Sequence, residues 1–200
     1  MSEHYFSKKP QSKSSPKKWR YSLRGREYTF LSDYGVFSKN EVDFGSRLLA
    51  ENFKAPPIMG DFLDLGCGYG PIGISMADNF RDRRVVLADV NERAVLLAEE
   101  NAAVNHVSNI EIVQSDRLAN LEGWRFAAIV TNPPIRAGKT IVHSMFEDSH
   151  ASLLKGGRLW VVIQKKQGAP SAKAKLESLF GNVEVIAKSK GYFLFVSVKQ

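Results

Sequence analysis

The sequence predicts an α/β domain whose mostly parallel sheet of about seven strands ends in an antiparallel C-terminal hairpin. From about residue 58 onwards, short apolar runs alternate with helical patterns, which is typical of parallel strands joined by right-handed crossovers. Near the end, the apolar runs at 183–186 and 193–196 are separated only by a short Lys/Ser/Gly turn. These two runs must pair antiparallel, because a parallel return needs a longer connection.

A small N-terminal hairpin and a helix are predicted before the sheet. The hairpin at 19–31 turns at Arg24-Gly25-Arg26, and a capping box at Ser38 and Glu41 predicts a helix that extends to about Phe53. In the remainder of the chain, strands are expected near 62–65, 85–89, 110–114, 126–131 and 158–163, and helices near 71–79, 91–105, 140–154 and 171–180.

Length and composition predict one domain. Two hundred residues with 44% hydrophobic content suffice for one substantial core. We expect a basic, flexible tail at 1–18 and a single domain at 19–200, with the hairpin and helix at 19–54 and the cofactor-binding core at 58–200. A single cysteine, Cys67, and the lack of zinc spacing argue against a disulfide or a metal. Without a long apolar run or a signal-peptide pattern, we expect a cytoplasmic, monomeric protein with no membrane partner.

The net charge of +7 is concentrated at the N-terminus. Residues 1–28 contain eight Lys and Arg residues against two Glu residues, a net charge of +6. A basic segment of this kind can contact a phosphate backbone, and Trp19, Tyr21 and Tyr28 lie between the arginines, where they could stack on bases. The alternatives are a solvated tail and aromatic side chains that belong to the core of the hairpin.

A glycine-rich loop at 61–73 carries the first strong motif. Gly66, Gly68 and Gly70 follow a short apolar run, and Pro71 suits the first turn of a helix. Glycines permit positive φ angles and let a ligand approach the bare backbone. The loop would lie at the carboxyl edge of a parallel sheet, where open α/β sheets bind ligands, as in a Rossmann-like fold.

The glycines alone do not identify the cofactor. Gly68 and Gly73 fit the dinucleotide pattern, with Asp89 about twenty residues on, as that pattern expects. Asp64, however, precedes the glycines, where its carboxylate would close over the loop and repel a pyrophosphate. An acid there suits the sulfonium and the zwitterionic tail of S-adenosylmethionine (SAM), which we therefore favour over NAD. A tight turn without any ligand is the remaining alternative.

Two further acids follow strands of the predicted sheet. Asp89 ends the strand at 85–89, and its carboxylate can accept two hydrogen bonds from a ribose diol. Asp116 follows the strand at 110–114 and could accept a hydrogen bond from an adenine amino group. Either acid could instead cap a helix.

Asn132-Pro133-Pro134-Ile135 is the second strong motif and ends the strand at 126–131. Two successive prolines fix the backbone and donate no hydrogen bond. The Asn side-chain oxygen and a nearby carbonyl would then form a rigid pair of acceptors for a planar NH2 group, holding its lone pair towards an incoming methyl group. The alternative is a proline-terminated strand with Asn as a turn residue.

With both motifs present, the chain resembles the class I SAM-dependent methyltransferases, a Rossmann-like fold. Asp64-x-Gly66-x-Gly68-x-Gly70 matches the first motif of that fold, and Asn132-Pro133-Pro134 matches its amino-group motif. Gly35-Val36-Phe37-Ser38 and the run 43–49 resemble the RsmC-like group, which methylates guanine N2 in small-subunit ribosomal RNA. The opening at 4–12 is similar to its single-domain, YbxB-type members.

The resemblance implies a role for each matching residue. The methionine end of SAM would contact Gly66, Cys67, Gly68 and Gly70. The ribose would contact Asp89 with its neighbours Val90 and Asn91, and the adenine side would contact Asp116 and Arg117. Asn132 and the carbonyl of Pro133 would hold the target amine, followed by Pro134 and Ile135. In related enzymes the segment that contains Phe37 folds over the cofactor, and Asp43 is expected to approach the same site.

The implied reaction is methyl transfer from SAM to an exocyclic amine, guanine N2 of 16S ribosomal RNA, with ribosomal RNA or the small ribosomal subunit as partner. Ile135 departs from the aromatic residue that many such enzymes have after Asn-Pro-Pro. The second, degenerate domain of longer members is also missing, and the basic tail could substitute for it. The alternatives are a protein glutamine amide as substrate and a SAM-binding RNA assembly factor with little catalysis.

Overall fold

The computed structural model describes residues 14–36, 38 and 41–200. Its strands and helices, in chain order, are β1 (Lys17–Leu23), β2 (Arg26–Ser32), α1 (Phe44–Asn52), β3 (Asp61–Leu65), α2 (Pro71–Asn79), β4 (Val85–Asp89), α3 (Glu92–Val104), β5 (Ile110–Gln114), β6 (Phe126–Thr131), α4 (Lys139–Ser152), β7 (Leu153–Gln164), α5 (Ala169–Phe180), β8 (Glu184–Ser189) and β9 (Tyr192–Val198). Two short 3₁₀ turns cover Ile135–Ala137 and Lys165–Gln167.

A seven-stranded sheet forms the centre of the molecule. Its strand order is β5-β4-β3-β6-β7-β9-β8. The first five of these strands are parallel, whereas β9 pairs antiparallel with both β7 and β8. This confirms the predicted Rossmann-like class with an antiparallel C-terminal hairpin. The chain reverses its direction of winding between β3 and β6, so the loops after these strands diverge and leave a crevice at the carboxyl edge of the sheet.

Two hydrophobic clusters, one on each face of the sheet, bury the apolar side chains. One cluster joins the sheet to α1, α2, α3 and the N-terminal hairpin, and the other joins it to α4 and α5. The strand β6 lies between them and is buried along its whole length, as expected of a central parallel strand with helices on both faces. Within the described ranges, no helix has the length and apolar character needed to cross a bilayer.

The N-terminal hairpin is present as predicted and packs on the first cluster. Arg24 and Gly25 have φ values of 51° and 74°, which suits the two-residue turns that favour right-twisted hairpins. Tyr28 is only 2% exposed and donates a hydrogen bond to Asp78, and the ring of Trp19 packs against Phe30 and the loop after β3. Both side chains therefore belong to the core, which was the alternative to base stacking.

The hairpin is attached to α3 by two asparagines. Asn101 accepts a hydrogen bond from Leu31 N and donates to Leu31 O, and Asn105 pairs in the same way with Thr29. These amides occupy the free edge of β2 as a further strand would, which protects it from pairing with another chain. Asn101 also donates to Tyr69 O at 2.9 Å, so the hairpin is connected directly to the glycine loop.

Two predicted boundaries need correction. Helix α1 begins at Phe44 and is capped by Asp43, whereas Ser38 donates to the carbonyl of Glu41 in a local turn; the capping box predicted there is wrong. Asp is as effective an N-cap as Ser, and here it lies next to the first turn. Strand β1 begins at Lys17, two residues before the predicted domain boundary, and Asp33 accepts hydrogen bonds from residues 14 and 15. Residues 1–13 of the predicted tail at 1–18 lie outside the described residues.

Candidate functional site

A cavity of about 430 Å³ lies at the carboxyl edge of the sheet, at the crevice between β3 and β6. This volume is typical of pockets that bind small molecules. Most of the predicted site residues line it: Gly66, Cys67, Gly68, Asp89, Val90, Asp116, Arg117, Asn132, Pro133 and Pro134. The two strong motifs of the sequence therefore meet in one cavity.

The glycine loop is anchored to the neighbouring strand β4. The backbone nitrogens of Gly66 and Cys67 both donate to the carbonyl of Ala88, at 2.8 and 3.1 Å. Gly66 and Gly68 have φ values of 77° and 57°, which other residues adopt only at a cost. The cavity wall is thus bare backbone, which a ligand can approach closely. Gly70 does not line the cavity; it precedes α2 as its N-cap.

Asp89 organises this loop. Its Oδ2 accepts a hydrogen bond from Gly68 N at 2.8 Å, and its Oδ1 accepts from Asn91 N at 2.9 Å. Burial raises the pKa of Asp89, and the backbone hydrogen bonds from Asn91, Gly68 and Val90 oppose that shift. A carboxylate has about four acceptor positions, so it can bind the loop and a diol together. Asn91 is instead buried and caps α3.

Asp64 lies beneath the loop and not in the cavity. It is 1% exposed, and its Oδ2 accepts a hydrogen bond from Gly73 N at 2.8 Å. Its Oδ1 is buried and has no partner among the described residues. Burial raises the pKa of Asp64 to about 7. The expectation that this carboxylate closes over the loop from the cavity side is therefore wrong; it supports the loop from behind, at the first turn of α2.

Asn132 is held by the start of α1. Its Nδ2 donates to Oδ1 and Oδ2 of Asp43, at 3.2 and 3.3 Å, and to Oγ of Ser46 at 3.0 Å. Because a carboxylate can only accept, the amide nitrogen must face Asp43. The amide oxygen then faces away, and within the described chain no donor bonds to it. Since Asn132 lines the cavity, this oxygen is a fixed acceptor for a ligand, and the expectation that Asp43 approaches the site is confirmed.

Ile135 is a further predicted residue that does not line the cavity. Ile135 begins a 3₁₀ turn and packs against the second hydrophobic cluster. Its side chain therefore packs with the core, and α4 contributes Ile141 and Met145 as aliphatic lining of the cavity. Phe37 lies outside the described residues.

Several lining residues were missed by sequence reasoning. They are Val36, Ser38, Ser46, Leu65, Tyr69, Pro71, Ile72, Ala88, Ala94, Ser115, Ala137, Ile141 and Met145. Ser46 had a detectable signal, since it lies three residues after the N-cap Asp43 and thus on the same end of α1. Ile141 is 41% exposed, but an apolar residue in a helix pattern is normally assigned to the core, so its position at the cavity has no sequence signal.

The cavity is acidic. Asp43, Asp89 and Asp116 line it, and Arg117, the only basic lining residue in the described part of the chain, has its Nη1 3.2 Å from Asp148 Oδ2. A cation bound here would be stabilised by these carboxylates. In residues 14–36, 38 and 41–200, no group of three His, Cys, Asp or Glu side chains has an arrangement that could hold a metal ion.

The family model of the methyltransferase small domain matches residues 27–196, which is most of the chain. The chain belongs to the methyltransferase small domain family. Both motifs of the cavity lie within the matched range, at 64–73 and 132–134. The predicted family is thereby confirmed, and the hairpin strand β2 and the final strand β9 are also part of the family domain.

The proteins similar to this chain include one uncharacterized protein and two ribosomal RNA methyltransferases. The chain is 56% identical over its full length to the uncharacterized protein YbxB of Bacillus subtilis. It is 33% identical, over 90% of its length, to ribosomal RNA small subunit methyltransferase C of Actinobacillus pleuropneumoniae, of which it covers 54%. Among solved structures, the RsmC 16S rRNA N2 methyltransferase of T. thermophilus, in complex with AdoMet and guanosine, has a TM-score of 0.81 and 27% identity over 96% of this chain.

The chain spans about half the length of these two ribosomal RNA methyltransferases, since it covers 52% of the solved one. SAM, the cofactor predicted from the glycine loop, is confirmed by the family and by the AdoMet-bound relative. The residues of this chain fit it: bare backbone at Gly66 and Gly68, a diol acceptor at Asp89, and carboxylates that suit a sulfonium and an ammonium group.

Proposed function

We propose that this protein transfers a methyl group from SAM to the N2 amine of a guanine in small-subunit ribosomal RNA. The observation that carries this proposal is the position of Asp43 beside Asn132 at the cavity. Towards a ligand the two side chains offer acceptors: the amide oxygen of Asn132 and the carboxylate of Asp43. Among the described residues, Oδ2 of that carboxylate receives only the 3.3 Å contact from Asn132. Such an edge is complementary to a ligand that presents adjacent donors.

Guanine is the nucleobase whose edge fits these acceptors. Its N2 amine lies next to N1–H, so both neighbouring groups donate. The amines of adenine and cytosine lie next to a ring nitrogen with a lone pair, which would face the carboxylate of Asp43. Because such a base leaves the carboxylate without a donor, its binding is disfavoured by several kcal/mol relative to guanine. A glutamine amide presents its amine beside a carbonyl and would also leave Asp43 without a second donor.

Each side of the cavity then has a defined task. The glycine loop and Asp89 bind the methionine end and the ribose of the cofactor, and Asp116 with Arg117 lies towards its adenine. SAM supplies an electrophilic methyl group. The chain itself orients the target, because Asn132 and the carbonyl of Pro133 accept the two protons of the amine. The lone pair of the amine is then directed at the methyl group. Positioning of this kind accounts for most of the rate. The proton that the amine releases during or after transfer passes to a carbonyl or to water.

Labelled methyl transfer tests this proposal. The purified protein is incubated with isotopically labelled SAM and unmodified small ribosomal subunits or their RNA, and the digested nucleosides are analysed by mass spectrometry. We expect labelled N2-methylguanosine with the wild-type protein. Asn132→Ala should reduce its formation by orders of magnitude with nearly unchanged SAM affinity, whereas the control Asn52→Ala, at the far end of α1, should be active.

The outcome that contradicts the proposal is a SAM-binding protein that labels no RNA. Label in a protein amide would instead assign the site to glutamine. An equal loss of SAM binding and transfer in Asn132→Ala would remove this residue from the role of holding the amine.

A further inference from the structure

A row of lysines lies at the same edge of the sheet as Asn132, on the side away from the cofactor loop. The last residue of β6 to pair with β7, Thr131, lies opposite Val161. Strand β7 continues for three more residues beyond that pair, and Lys165 and Lys166 follow in the 3₁₀ turn. Since β7 is parallel to β6, these two lysines project past the carboxyl edge beside Asn132.

The end of β8 and the turn that follows it contribute two more lysines at this place. Lys188 and Lys190 precede Tyr192, which pairs with Gln164 at the end of β7. The backbone nitrogen of Lys165 donates to the carbonyl of Gly191 at 2.7 Å. The two turns are thus fixed to each other, and the lysines at this edge are here called the lysine ridge: Lys165, Lys166, Lys188 and Lys190. The ridge reaches both faces of the sheet, because Lys190 lies over the ring of Phe44 on the α1 side, whereas Nζ of Lys188 is 5.2 Å from the centre of the Phe193 ring, which packs against the second cluster.

The ammonium groups of the ridge are not neutralised. All four lysines are exposed, and no carboxylate of the described residues lies within the 4.0 Å of an ion pair with any of them. By contrast, Lys175, on α5, is paired with Glu147. Four exposed cations without a carboxylate partner give this edge a positive potential, which attracts an anionic ligand.

Aromatic side chains connect the ridge with the site. The rings of Phe44 and Tyr192 lie 5.6 Å apart, and Nζ of Lys190 is 4.9 Å from the centre of the Phe44 ring. A methyl group placed on Gly45 would come within 2.9 Å of the Tyr192 ring and 3.1 Å of Asp43 Oδ1. The ring and the carboxylate therefore meet over Gly45, and the ridge lies next to the acceptor pair that we assign to the target base.

The opposite side of the cavity has the opposite charge. Asp89 and Asp116 lie at the ends of β4 and β5, on the cofactor side, whereas the lysine ridge lies beyond β7. Phosphates are repelled by the first side and attracted by the second. A nucleic-acid strand whose base enters the cavity at Asn132 would therefore extend towards β7 and β9.

We infer that the lysine ridge, together with Phe44 and Tyr192, is the surface on which the RNA strand that carries the target base docks. The inference rests on the proposed function, because it takes RNA as the substrate. The lysines bind the phosphates next to the target nucleotide, and the two partly buried rings offer a face on which a neighbouring base stacks. A strand in a duplex would hide the target edge, so the docked segment is single-stranded or has the target base turned out.

Paired substitutions that remove equal charge test this inference. Lys188→Gln/Lys190→Gln alters the ridge. Lys54→Gln/Lys155→Gln is the matched control, since both lysines are exposed and lie past the C-terminus of α1 and near the start of β7, at the opposite edge. A third variant, Lys17→Gln/Lys18→Gln, tests the alternative that the N-terminal hairpin binds RNA. Each protein is titrated with a single-stranded RNA fragment of the methylated site at several salt concentrations.

We expect the ridge variant to bind RNA more weakly, on the order of tenfold near 100 mM salt, with a salt slope reduced by about 1.4, since each lost contact to a single strand contributes about 0.7. SAM affinity and the turnover rate at saturating RNA should be unchanged, and the RNA concentration at half-maximal rate should rise. The control variant should behave as the wild type.

Three results would overturn the inference. They are an equal loss in the ridge and control variants, a loss confined to Lys17→Gln/Lys18→Gln, and a reduced turnover rate without a change in RNA affinity. Wild-type protein that transfers no methyl group to RNA would overturn the proposed function and this inference together. Methyl transfer by the wild type, together with unchanged RNA binding in the ridge variant, would overturn only the inference.

Discussion

Asp43→Asn should separate the orientation of the target base from binding of the cofactor. Asn is as good an N-cap as Asp, so the hydrogen bonds from Gly45 N and Ser46 N, at 2.9 and 3.2 Å, can persist through its remaining oxygen. The other oxygen is replaced by an NH2 group, which donates hydrogen bonds and faces Nδ2 of Asn132. Two donors cannot bond to each other, so Asn132 must turn its oxygen towards residue 43 and its NH2 group into the cavity.

The size of the effect follows from the bonds that change. The substitution removes a hydrogen bond to a charged group, which contributes about 1.5–3 kcal/mol, and it presents a donor to the target amine. A loss of about 2.7 kcal/mol in the transition state corresponds to a rate on the order of a hundredfold lower. Among the described residues, the hydrogen bonds of Asp43 go to α1 and Asn132 and not to the glycine loop, so SAM affinity should change far less than the transfer rate, and thermal stability should change little.

Single-turnover methyl transfer at saturating SAM and RNA measures this effect, and calorimetric titration gives the SAM affinity. Ser46→Ala is the matched control: it removes one neutral acceptor of Asn132 and should lower the rate by no more than about tenfold. The exchange Asp43→Asn/Asn132→Asp restores a donor opposite an acceptor and should recover part of the rate. An unchanged rate in Asp43→Asn, or an equal loss of SAM affinity, would refute the reasoning.

Three further substitutions test the stability and the walls of the site. Burial raises the pKa of Asp64 from 3.8 to about 7, so the native state keeps a proton that the unfolded chain releases. The free energy of unfolding should therefore fall by up to about 4 kcal/mol as the pH rises from about 4 to 7. Urea titrations of the wild type should show this decrease, and those of Asp64→Asn should not. Gly73→Ala would place a methyl group 2.5 Å from the Leu87 side chain and should lower the free energy of unfolding by about 1–3 kcal/mol; unaltered thermal unfolding would contradict the close packing. Ile141→Ala, at an exposed wall of the cavity, should leave stability within about 0.5 kcal/mol but weaken RNA methylation, and a large loss of stability would assign this side chain to the core instead.

The fold was predictable because its signals are local. The alternation of apolar runs and helical patterns fixes the parallel part of the sheet, and the short turn after residue 186 allows only an antiparallel pair. Gly66, Gly68 and Asn132 were predictable for the same reason: the motif that identifies each of them lies within a few residues of it in the chain. The strand ends then bring both motifs to one edge without any further information.

What could not be predicted depends on contacts between distant parts of the chain. Asp43 and Asn132 are 89 residues apart, and no local pattern indicates that one orients the other. The direction of Asp64 also has no local signal, since a strand residue next to a loop can face either the ligand or the following helix. Ile135 follows Asn-Pro-Pro in sequence, yet its backbone enters a 3₁₀ turn that directs it to the core.

The start of α1 explains how recognition of the base and docking of the strand can be coordinated. Asp43 caps the helix, holds the amide of Asn132 and meets the ring of Tyr192 over Gly45. The position of this carboxylate is thus determined by the helix, because its oxygen must stay within reach of the first backbone N–H groups. The acceptor pair and the aromatic part of the docking surface are therefore supported by the same short segment, the first turn of α1.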